Sequence, residues 1–229
     1  MEKASILSIL RREDTVFTFK DILLASGETN VPLLKRRINY YVKNKEIYPI
    51  RRGIYAKDKN YNKLELATKI FIPSYVSLET VLAREGVLFQ HYSQIFVVSY
   101  LTREISCDGQ TYVFRRIKDA ILANSLGIEQ KKSYAIASLE RAFLDTLYLN
   151  KNYHFDNLAP LDPKKLLELL PLYRNQALAR RLKSYGCKKC RHPFIQHTQT
   201  ELIQRAGSNQ KAYIHKCEAK NCNCVAFEG

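Results

Sequence analysis

The sequence has no hydrophobic run long enough to cross a membrane. Its most apolar stretch beyond the N-terminus, Ile95–Leu101, is far shorter than the roughly 20 residues that a membrane-spanning helix needs. The N-terminal MEKASILSIL is followed by the charged residues Arg11–Asp14, without a visible small-residue cleavage site. We therefore expect no signal peptide, a cytoplasmic location and no membrane partner.

The motifs of several enzyme classes are also missing. There is no phosphate-binding glycine loop, no H-E-x-x-H and no G-x-S-x-G. Glu79, Glu140 and Asp145 could form an acidic nuclease cluster, but the first-turn position of Glu79 and the position of the other two beside Arg141 favour structural roles. Cys107 has no assured histidine partner. We therefore predict no catalytic residue and a protein that is not an enzyme.

Acidic residues are scarce. The chain has 22 Asp and Glu against 37 Lys and Arg, which gives a formal net charge of +15. This excess favours a polyanionic partner through counterion release and electrostatic steering, although a solvated lysine-rich surface would give the same total. A length of 229 residues with 46% hydrophobic content is typical of a folded protein with two or three small domains.

The stretch that begins at Asn30 has the pattern of a recognition helix. Asn30 is a suitable N-cap, and Pro32 fits the first turn, where its missing N–H is not needed. Apolar residues at helical spacing predict a buried face, formed by Leu34, Ile38, Tyr41 and Val42. Side chains suited to phosphates and base edges fall on the other face, namely Lys35, Arg36, Arg37, Asn39, Tyr40 and Lys43.

A basic β-hairpin is predicted directly after this helix. Ile47–Ile50 alternates as a short strand, Arg51-Arg52-Gly53 forms the turn, and Ile54–Ala56 returns antiparallel. Arg51 and Arg52 would therefore lie at the hairpin tip, where a wing meets a phosphate backbone. With helices predicted over residues 2–12 and from a Thr18/Asp21 capping box to Gly27, residues 1–60 are predicted to form a winged helix-turn-helix domain.

Residues 61–185 are predicted to form a mixed domain. Helices are expected over Lys63–Phe71, from a Ser77 cap to Gly86, and over Ile136–Leu149, and Asp108-Gly109 is a strong hairpin signal between two apolar arms. The predicted fold class is α/β of the α+β kind, with an N-terminal winged helix-turn-helix, a central mixed α/β domain and a small C-terminal zinc-binding tail.

Residues 186–229 carry the pattern of a structural zinc site. Five of the six cysteines lie in this tail, which in a reducing compartment favours metal binding over disulfides. Unligated cysteines in a frayed terminus are the alternative. The thiolates leave no open coordination position for catalysis, so we predict about one structural Zn²⁺ per chain. The preferred ligands are Cys187, Cys190, Cys217 and Cys222, and Cys224, His197 and His192 compete with them.

Three segments carry a family resemblance. IPSYVSLETVLAREG over Ile72–Gly86, YAIASLERAFLDTLYL over Tyr134–Leu149 and the upstream RRGIYA occur in the expected order. They resemble the signature segments of AbiEi-type antitoxins from type IV, abortive-infection toxin-antitoxin systems. The resemblance covers residues 1–185 and leaves the cysteine-rich tail unexplained.

The resemblance implies a transcriptional autorepressor and antitoxin. Family members join a winged helix to a larger α/β domain, bind inverted repeats of double-stranded DNA in their own promoter, and counteract a co-encoded nucleotidyltransferase-like toxin without necessarily contacting it. A monomer in solution or a dimer on DNA would fit this role. The DNA contacts would fall on Lys35, Arg36, Arg37, Asn39, Tyr40, Lys43, Arg51 and Arg52.

Two other functional classes stay open at this point. One is an enzyme, either a zinc-dependent nucleic-acid-processing enzyme or a kinase-like antitoxin that modifies its toxin. The other is a protein-interaction adaptor that docks through the zinc tail and whose basic charge is incidental. Metal-dependent cleavage or phosphate transfer would favour the first, and loss of partner binding after truncation at Tyr185 would favour the second.

Overall fold

The computed structural model describes residues 7–185, 197–204, 211–217 and 225–228. The fold is mixed α/β, as predicted, and it divides into two compact units that are each built from separate chain segments. The first unit comprises the described chain up to Val76, Ser93–Arg116 and Gln130–Ala135. The second comprises Ser77–Tyr92, Ile117–Glu129 and the described chain from Ile136 onward. The boundaries at residues 60 and 185 stay predictions.

Three helices occupy the N-terminal part of the first unit: α1 (Leu7–Leu10), α2 (Phe19–Ser26) and α3 (Val31–Lys43). A capping box begins α2, because Asp21 N donates to Thr18 Oγ1 at 3.1 Å and Thr18 N donates to Asp21 Oδ2 at 2.8 Å. Gly27 ends α2 in the left-handed region. Asn30 Oδ1 then accepts from Leu33 N at 3.1 Å and begins α3. The predicted caps and stop are confirmed.

The same part contains three short strands: β1 (Val16–Thr18), β2 (Tyr48–Arg51) and β3 (Ile54–Ala56). They form an antiparallel sheet in the order β1-β3-β2, in which β1 was not predicted. Leu34 and Ile38 of α3 are buried, and Tyr41 and Val42 pack partly buried beside them, which confirms the predicted inner face. The buried core residues are Ile9, Phe17, Ile22, Leu34, Ile38 and Ile47.

A buried carboxylate joins helix α4 (Lys63–Ile70) to the start of β1. Glu65 Oε2 accepts hydrogen bonds from Thr15 N at 2.9 Å and from Thr15 Oγ1 at 2.6 Å. Its other oxygen accepts from Lys69 Nζ at 2.9 Å. Because Glu65 is fully buried, these bonds replace the water that its charge would otherwise require.

A larger mixed sheet has six described strands, of which the first four in chain order belong to the first unit. Its strands are β4 (Ser74–Val76), β5 (Ile95–Ser99), β6 (Arg103–Cys107), β7 (Gln110–Arg116), β8 (Ile128–Gln130) and β9 (Ala135–Ala137). The order is β6-β7-β5-β4-β9-β8, with β5 and β7 parallel. The predicted Asp108-Gly109 turn is confirmed, since φ is 51° at Asp108 and 74° at Gly109.

The second unit is mainly helical. Its helices are α5 (Glu79–Arg84), α6 (Asp119–Leu122), α7 (Leu139–Leu149), α8 (Pro163–Leu169) and α9 (Gln176–Ser184). Two expectations differ from the structure. Ser77 does not cap α5 but donates to Asp145 Oδ2 at 2.9 Å. The helix predicted from Ile136 begins at Leu139 instead, because the three residues before its Ser138 cap form β9.

Three more strands are described near the C-terminus: β10 (His197–Gln204), β11 (Lys211–Cys217) and β12 (Val225–Glu228). They form an antiparallel sheet in the order β10-β11-β12. Across the described residues, no helix combines the length and the apolar character that crossing a membrane requires.

Candidate nucleic-acid interface

The outer face of α3 is exposed over most of its length. The exposed side chains are Lys35, Arg36, Asn39, Tyr40 and Lys43, all of which the sequence predicted on this face. Tyr40 is 61% exposed. Within the described part of the chain, the side chains of Arg36, Asn39 and Lys43 have no hydrogen-bond or ion-pair partner. The face therefore presents charged and amide groups whose hydrogen-bonding capacity is available to a ligand.

Arg37 differs from its neighbours on α3. Its Nη1 lies 3.0 Å from Glu28 Oε2, in the turn between α2 and α3. The Glu28 side chain is only 14% exposed, whereas that of Arg37 is 41% exposed. Part of the Arg37 guanidinium is therefore occupied by the protein itself. The sequence pattern placed Arg37 on the basic face but gave no signal for this ion pair.

The hairpin β2–β3 presents the other two predicted cations. Arg51 and Arg52 are exposed, and neither has an ion-pair partner among the described residues. Gly53 adopts a φ of 77°, which a glycine reaches without the steric penalty of a Cβ. Its carbonyl accepts from Phe19 N at 2.8 Å, so the turn is tied to the start of α2. The turn consists of Arg52 and Gly53. It begins one residue later than predicted, because Arg51 belongs to β2.

A polar cluster that sequence reasoning missed lies beside β2. Asp108 accepts hydrogen bonds from Tyr48 Oη at 3.1 Å and from Tyr61 Oη at 2.9 Å, one at each carboxylate oxygen. Lys63 Nζ lies 3.6 Å from Asp108 Oδ2 and donates to the Asp108 carbonyl oxygen at 3.2 Å. We refer to Tyr48, Tyr61, Lys63 and Asp108 as the Asp108 cluster. The other three members are 45 to 60 positions from Asp108 in the sequence, so no local sequence pattern could have revealed the cluster.

Hydrogen bonding and burial shift the pKa values in this cluster. The hydrogen bond from Tyr61, helped by those from Tyr48 and Lys63, holds the pKa of Asp108 below its usual value. The hydrogen bond to Asp108 raises the pKa of Tyr48, and burial raises that of Tyr61. Burial also raises the pKa of the neighbouring Cys107 thiol, which keeps it protonated. The cluster thus pairs one carboxylate with two neutral phenols.

The acids considered as a nuclease cluster each have a protein partner. Glu79 Oε1 accepts from Tyr153 Oη at 3.2 Å, and Glu140 Oε1 accepts from Asp162 N at 3.3 Å. Asp145 is fully buried, and its Oδ1 accepts a hydrogen bond from Arg141 Nε at 3.3 Å. Helix α7 is buried from Glu140 to Leu147, so Glu140 and Asp145 are both buried within the second unit. Their arrangement favours structural roles.

Most of the predicted zinc ligands lie outside the described residues, namely Cys187, Cys190, His192, Cys222 and Cys224. The backbone of the other two is described, and the register of β10 and β11 pairs His197 with Cys217. Across an antiparallel pair, opposite residues have Cα atoms about 4.5–5.5 Å apart. Elsewhere in the described chain, no group of three or more His, Cys, Asp and Glu side chains is placed to hold a metal ion.

All eight predicted DNA-contact residues fall in the first unit, on α3 and on the β2–β3 hairpin. Six of the eight are Lys or Arg, and seven of the eight side chains are exposed. Such a surface suits a ligand with a regular array of negative charges. No family model matches the sequence, and no curated protein matches it significantly.

Proposed function

We propose that this protein binds double-stranded DNA through an N-terminal winged helix-turn-helix. The observation that carries the proposal is the presence of two exposed basic surfaces in one unit, the outer face of α3 and the tip of the β2–β3 hairpin. The element order α1-β1-α2-α3-β2-β3 supports it, because a recognition helix followed by a hairpin is the arrangement of a winged helix. In this proposal the hairpin is the wing.

The recognition helix would read bases in the major groove. A guanidinium such as that of Arg36 matches O6 and N7 of guanine, and an amide such as that of Asn39 matches N6 and N7 of adenine. The two residues are three positions apart, which corresponds to about 4.5 Å along a helix axis and is close to the 3.4 Å spacing of bases along a strand. Arg37, which binds Glu28, would mainly position the turn before α3.

The wing would contact the phosphate backbone. Arg51 and Arg52 have no acidic partner among the described residues, so each can replace a counterion on a phosphate. Such contacts add affinity and fix orientation but carry no base preference. Two copies bound to an inverted repeat would add their affinities and repress the promoter.

We further propose that the protein is the antitoxin of a type IV toxin-antitoxin system and autoregulates its own promoter. Support comes from the resemblance of residues 1–185 to AbiEi-type antitoxins. The two longer family-like segments also meet inside the second unit, where Ser77 Oγ donates to Asp145 Oδ2. Neutralisation of a nucleotidyltransferase-like toxin would therefore reside downstream of the winged helix, and it need not involve direct contact with the toxin.

The cysteine-rich tail is proposed to hold a structural zinc ion. The donor set of thiolates and imidazoles is the one zinc prefers, and the pairing of His197 with Cys217 brings two candidate ligands opposite each other in the backbone register. A small segment with few core-forming residues would gain most of its stability from the metal.

The test of DNA binding is fluorescence anisotropy with a labelled duplex from the region upstream of this reading frame. The double variant Arg36→Ala/Asn39→Ala should bind about 100-fold more weakly, because each lost base contact is worth about 1–3 kcal/mol. It should also lose its preference for the upstream duplex over a random duplex of equal length. Wild-type affinity in this variant would sink the assignment of α3.

A matched control is available on α9. Gln176→Ala/Arg180→Ala removes an amide and a guanidinium from exposed positions in the second unit, and it should leave DNA affinity within about 0.5 kcal/mol of wild type. For the antitoxin role, the protein encoded by the adjacent reading frame should arrest growth when produced alone, and co-production of this chain should restore it. Continued arrest would remove the antitoxin part of the proposal and leave DNA binding unaffected.

A further inference from the structure

The turn between β6 and β7 contacts two residues of β2. In the order β1-β3-β2, β2 is an edge strand of its sheet. Cys107 Sγ donates to the Ile50 carbonyl oxygen at 3.6 Å, and Asp108 accepts from Tyr48 Oη at 3.1 Å. Cys107, the last residue of β6, and Asp108, the first residue of the turn, therefore hold Ile50 and Tyr48, two alternate residues of β2. Ile50 directly precedes Arg51.

The turn is itself fixed to the rest of the first unit. Tyr61 is only 4% exposed, and its hydroxyl donates to Asp108 Oδ2 at 2.9 Å. Lys63 Nζ donates to Tyr61 Oη at 3.1 Å and to the Asp108 carbonyl oxygen at 3.2 Å. Asp108 is therefore held through its carboxylate by Tyr61 and through its backbone by Lys63, and a residue held in this way can restrain β2.

The hairpin needs external restraint because it is short. β2 has four residues and β3 has three, and their register shifts between Pro49 and Arg51. A two-stranded hairpin is marginally stable by itself in water. β3 is held by its pairing with β1, by packing on α3 and by the Phe19–Gly53 hydrogen bond, whereas the edge strand β2 is also held by the contacts of the β6–β7 turn.

We propose that Asp108 is a positioning residue for DNA binding, which holds β2 so that Arg51 and Arg52 meet the phosphate backbone in a fixed geometry. This inference rests on the proposed function. Asp108 would not touch DNA itself. A preorganised wing does not lose conformational entropy when it binds DNA. Loss of the Asp108 contacts should therefore appear as fewer phosphate contacts and weaker affinity.

The experiment measures the dependence of DNA affinity on salt concentration for full-length protein, with the upstream duplex and a random duplex as probes. Asp108→Gly removes the carboxylate, and glycine suits the φ of 51° at this position. The slope of log K against log salt is negative, and we expect its magnitude to decrease by about 1–2, since each lost phosphate contact removes about 0.9. Arg51→Ala/Arg52→Ala supplies the reference for a missing wing. The preference for the upstream duplex should survive in both variants, because α3 is unchanged.

Three further variants separate positioning from charge and from folding. Glu104→Ala removes an equal charge from an exposed position on β6 and should keep the wild-type slope. Asp108→Asn retains an oxygen acceptor and tolerates the left-handed conformation, so it should restore most of the slope. Tyr48→Phe removes only the hydroxyl that reaches Asp108 from β2, and it should lower the slope even if Asp108→Gly fails to fold.

The outcomes distinguish the two proposals. Absence of binding to either duplex by the wild type would overturn the proposed function itself. Binding by the wild type with unchanged slopes in Asp108→Gly and Tyr48→Phe would overturn only the role of Asp108. An unchanged slope in Arg51→Ala/Arg52→Ala would do the same, since the wing would then make no phosphate contact. A lowered slope in Glu104→Ala would assign the effect to net charge and also overturn it.

Discussion

Replacing Asp145 with alanine removes the carboxylate on which three buried side chains of the second unit converge. Asp145 Oδ1 accepts from Tyr173 Oη at 2.6 Å and lies 3.3 Å from Arg141 Nε. Asp145 Oδ2 accepts from Ser77 Oγ at 2.9 Å. Asp145 and Arg141 are both fully buried, so water cannot take over any of these contacts without a rearrangement.

The magnitude follows from what the substitution leaves behind. Removing one partner of a buried ion pair costs about 3–5 kcal/mol. Arg141 keeps hydrogen bonds to the carbonyl oxygens of Ile121 at 2.8 Å and Leu126 at 2.7 Å, which moderates the penalty. The hydroxyls of Tyr173 and Ser77 lose their acceptor, which adds to it. We therefore expect a loss of about 4 kcal/mol, a large part of a typical unfolding free energy of about 5–15 kcal/mol.

The assay is urea unfolding followed by far-ultraviolet circular dichroism, because the chain has no tryptophan to report by fluorescence. With a slope of about 2 kcal/mol per molar urea, the midpoint should fall by about 2 M. Ser77→Ala deletes a single donor and should lower stability by about 1 kcal/mol. Glu168→Ala removes an exposed acid from α8 and should change stability by less than about 0.5 kcal/mol.

A double variant tests whether the penalty arises from the uncompensated charge. Arg141→Met/Asp145→Leu leaves no buried charge, so it should be more stable than Asp145→Ala. If Asp145→Ala unfolds within about 1 kcal/mol of Glu168→Ala, or if the double variant is the less stable of the two, the reasoning from buried charge is refuted.

The remaining predictions concern pH and metal. Burial raises the pKa of Tyr61, Tyr112 and Tyr153, so folding favours their neutral forms. The stability they contribute is complete below the unfolded tyrosine pKa of about 10 and is lost as pH rises beyond it, so the urea midpoint should fall above about pH 10 together with phenolate absorbance. The pKa of Asp108 is lowered, so the stability that its carboxylate contributes is present above the unfolded aspartate pKa of about 4 and is lost only at more acidic pH. The slope of log K for DNA binding against log salt should therefore be constant between about pH 6 and 8, and a change in that range would contradict this. Elemental analysis of the purified full chain should find about one zinc per molecule, and a zinc-free, folded protein would remove the metal proposal.

Local rules predicted the elements that depend on near neighbours in the sequence. The Thr18/Asp21 capping box and the Asn30 cap fix helix starts through atoms three positions away. The Asp108-Gly109 turn requires positive φ at both positions, which few other dipeptides supply. Periodicity also placed Leu34 and Ile38 inside α3 and left its basic side chains outside, because burial follows the helical repeat.

Long-range contacts explain what the sequence could not predict. Ser77 looked like a helix cap, but a partner 68 positions away accepts its hydroxyl hydrogen bond. The helix predicted from Ile136 starts later because Ile136 belongs to strand β9. Pairing in a sheet satisfies the backbone N–H and C=O groups that a helix would otherwise have used. The contacts of Asp108 with Tyr48 and Tyr61 likewise depend on tertiary structure. The buried and basic faces of α3 and the basic hairpin tip could be predicted from the sequence. The distant residues that hold the hairpin in position could not.

The discontinuous first unit has a consequence for protein synthesis. Its last segment ends at Ala135, although the segment that carries α3 and the hairpin ends at Val76. At a translation rate of about 5–20 residues per second, the ribosome needs about 3–12 s to make the intervening chain. During that interval the nascent helices lack Asp108 and the strands β5, β6 and β7 of the larger sheet. A nascent chain should therefore complete the surroundings of α3 and the β2–β3 hairpin late, after more than half of the polypeptide has been made.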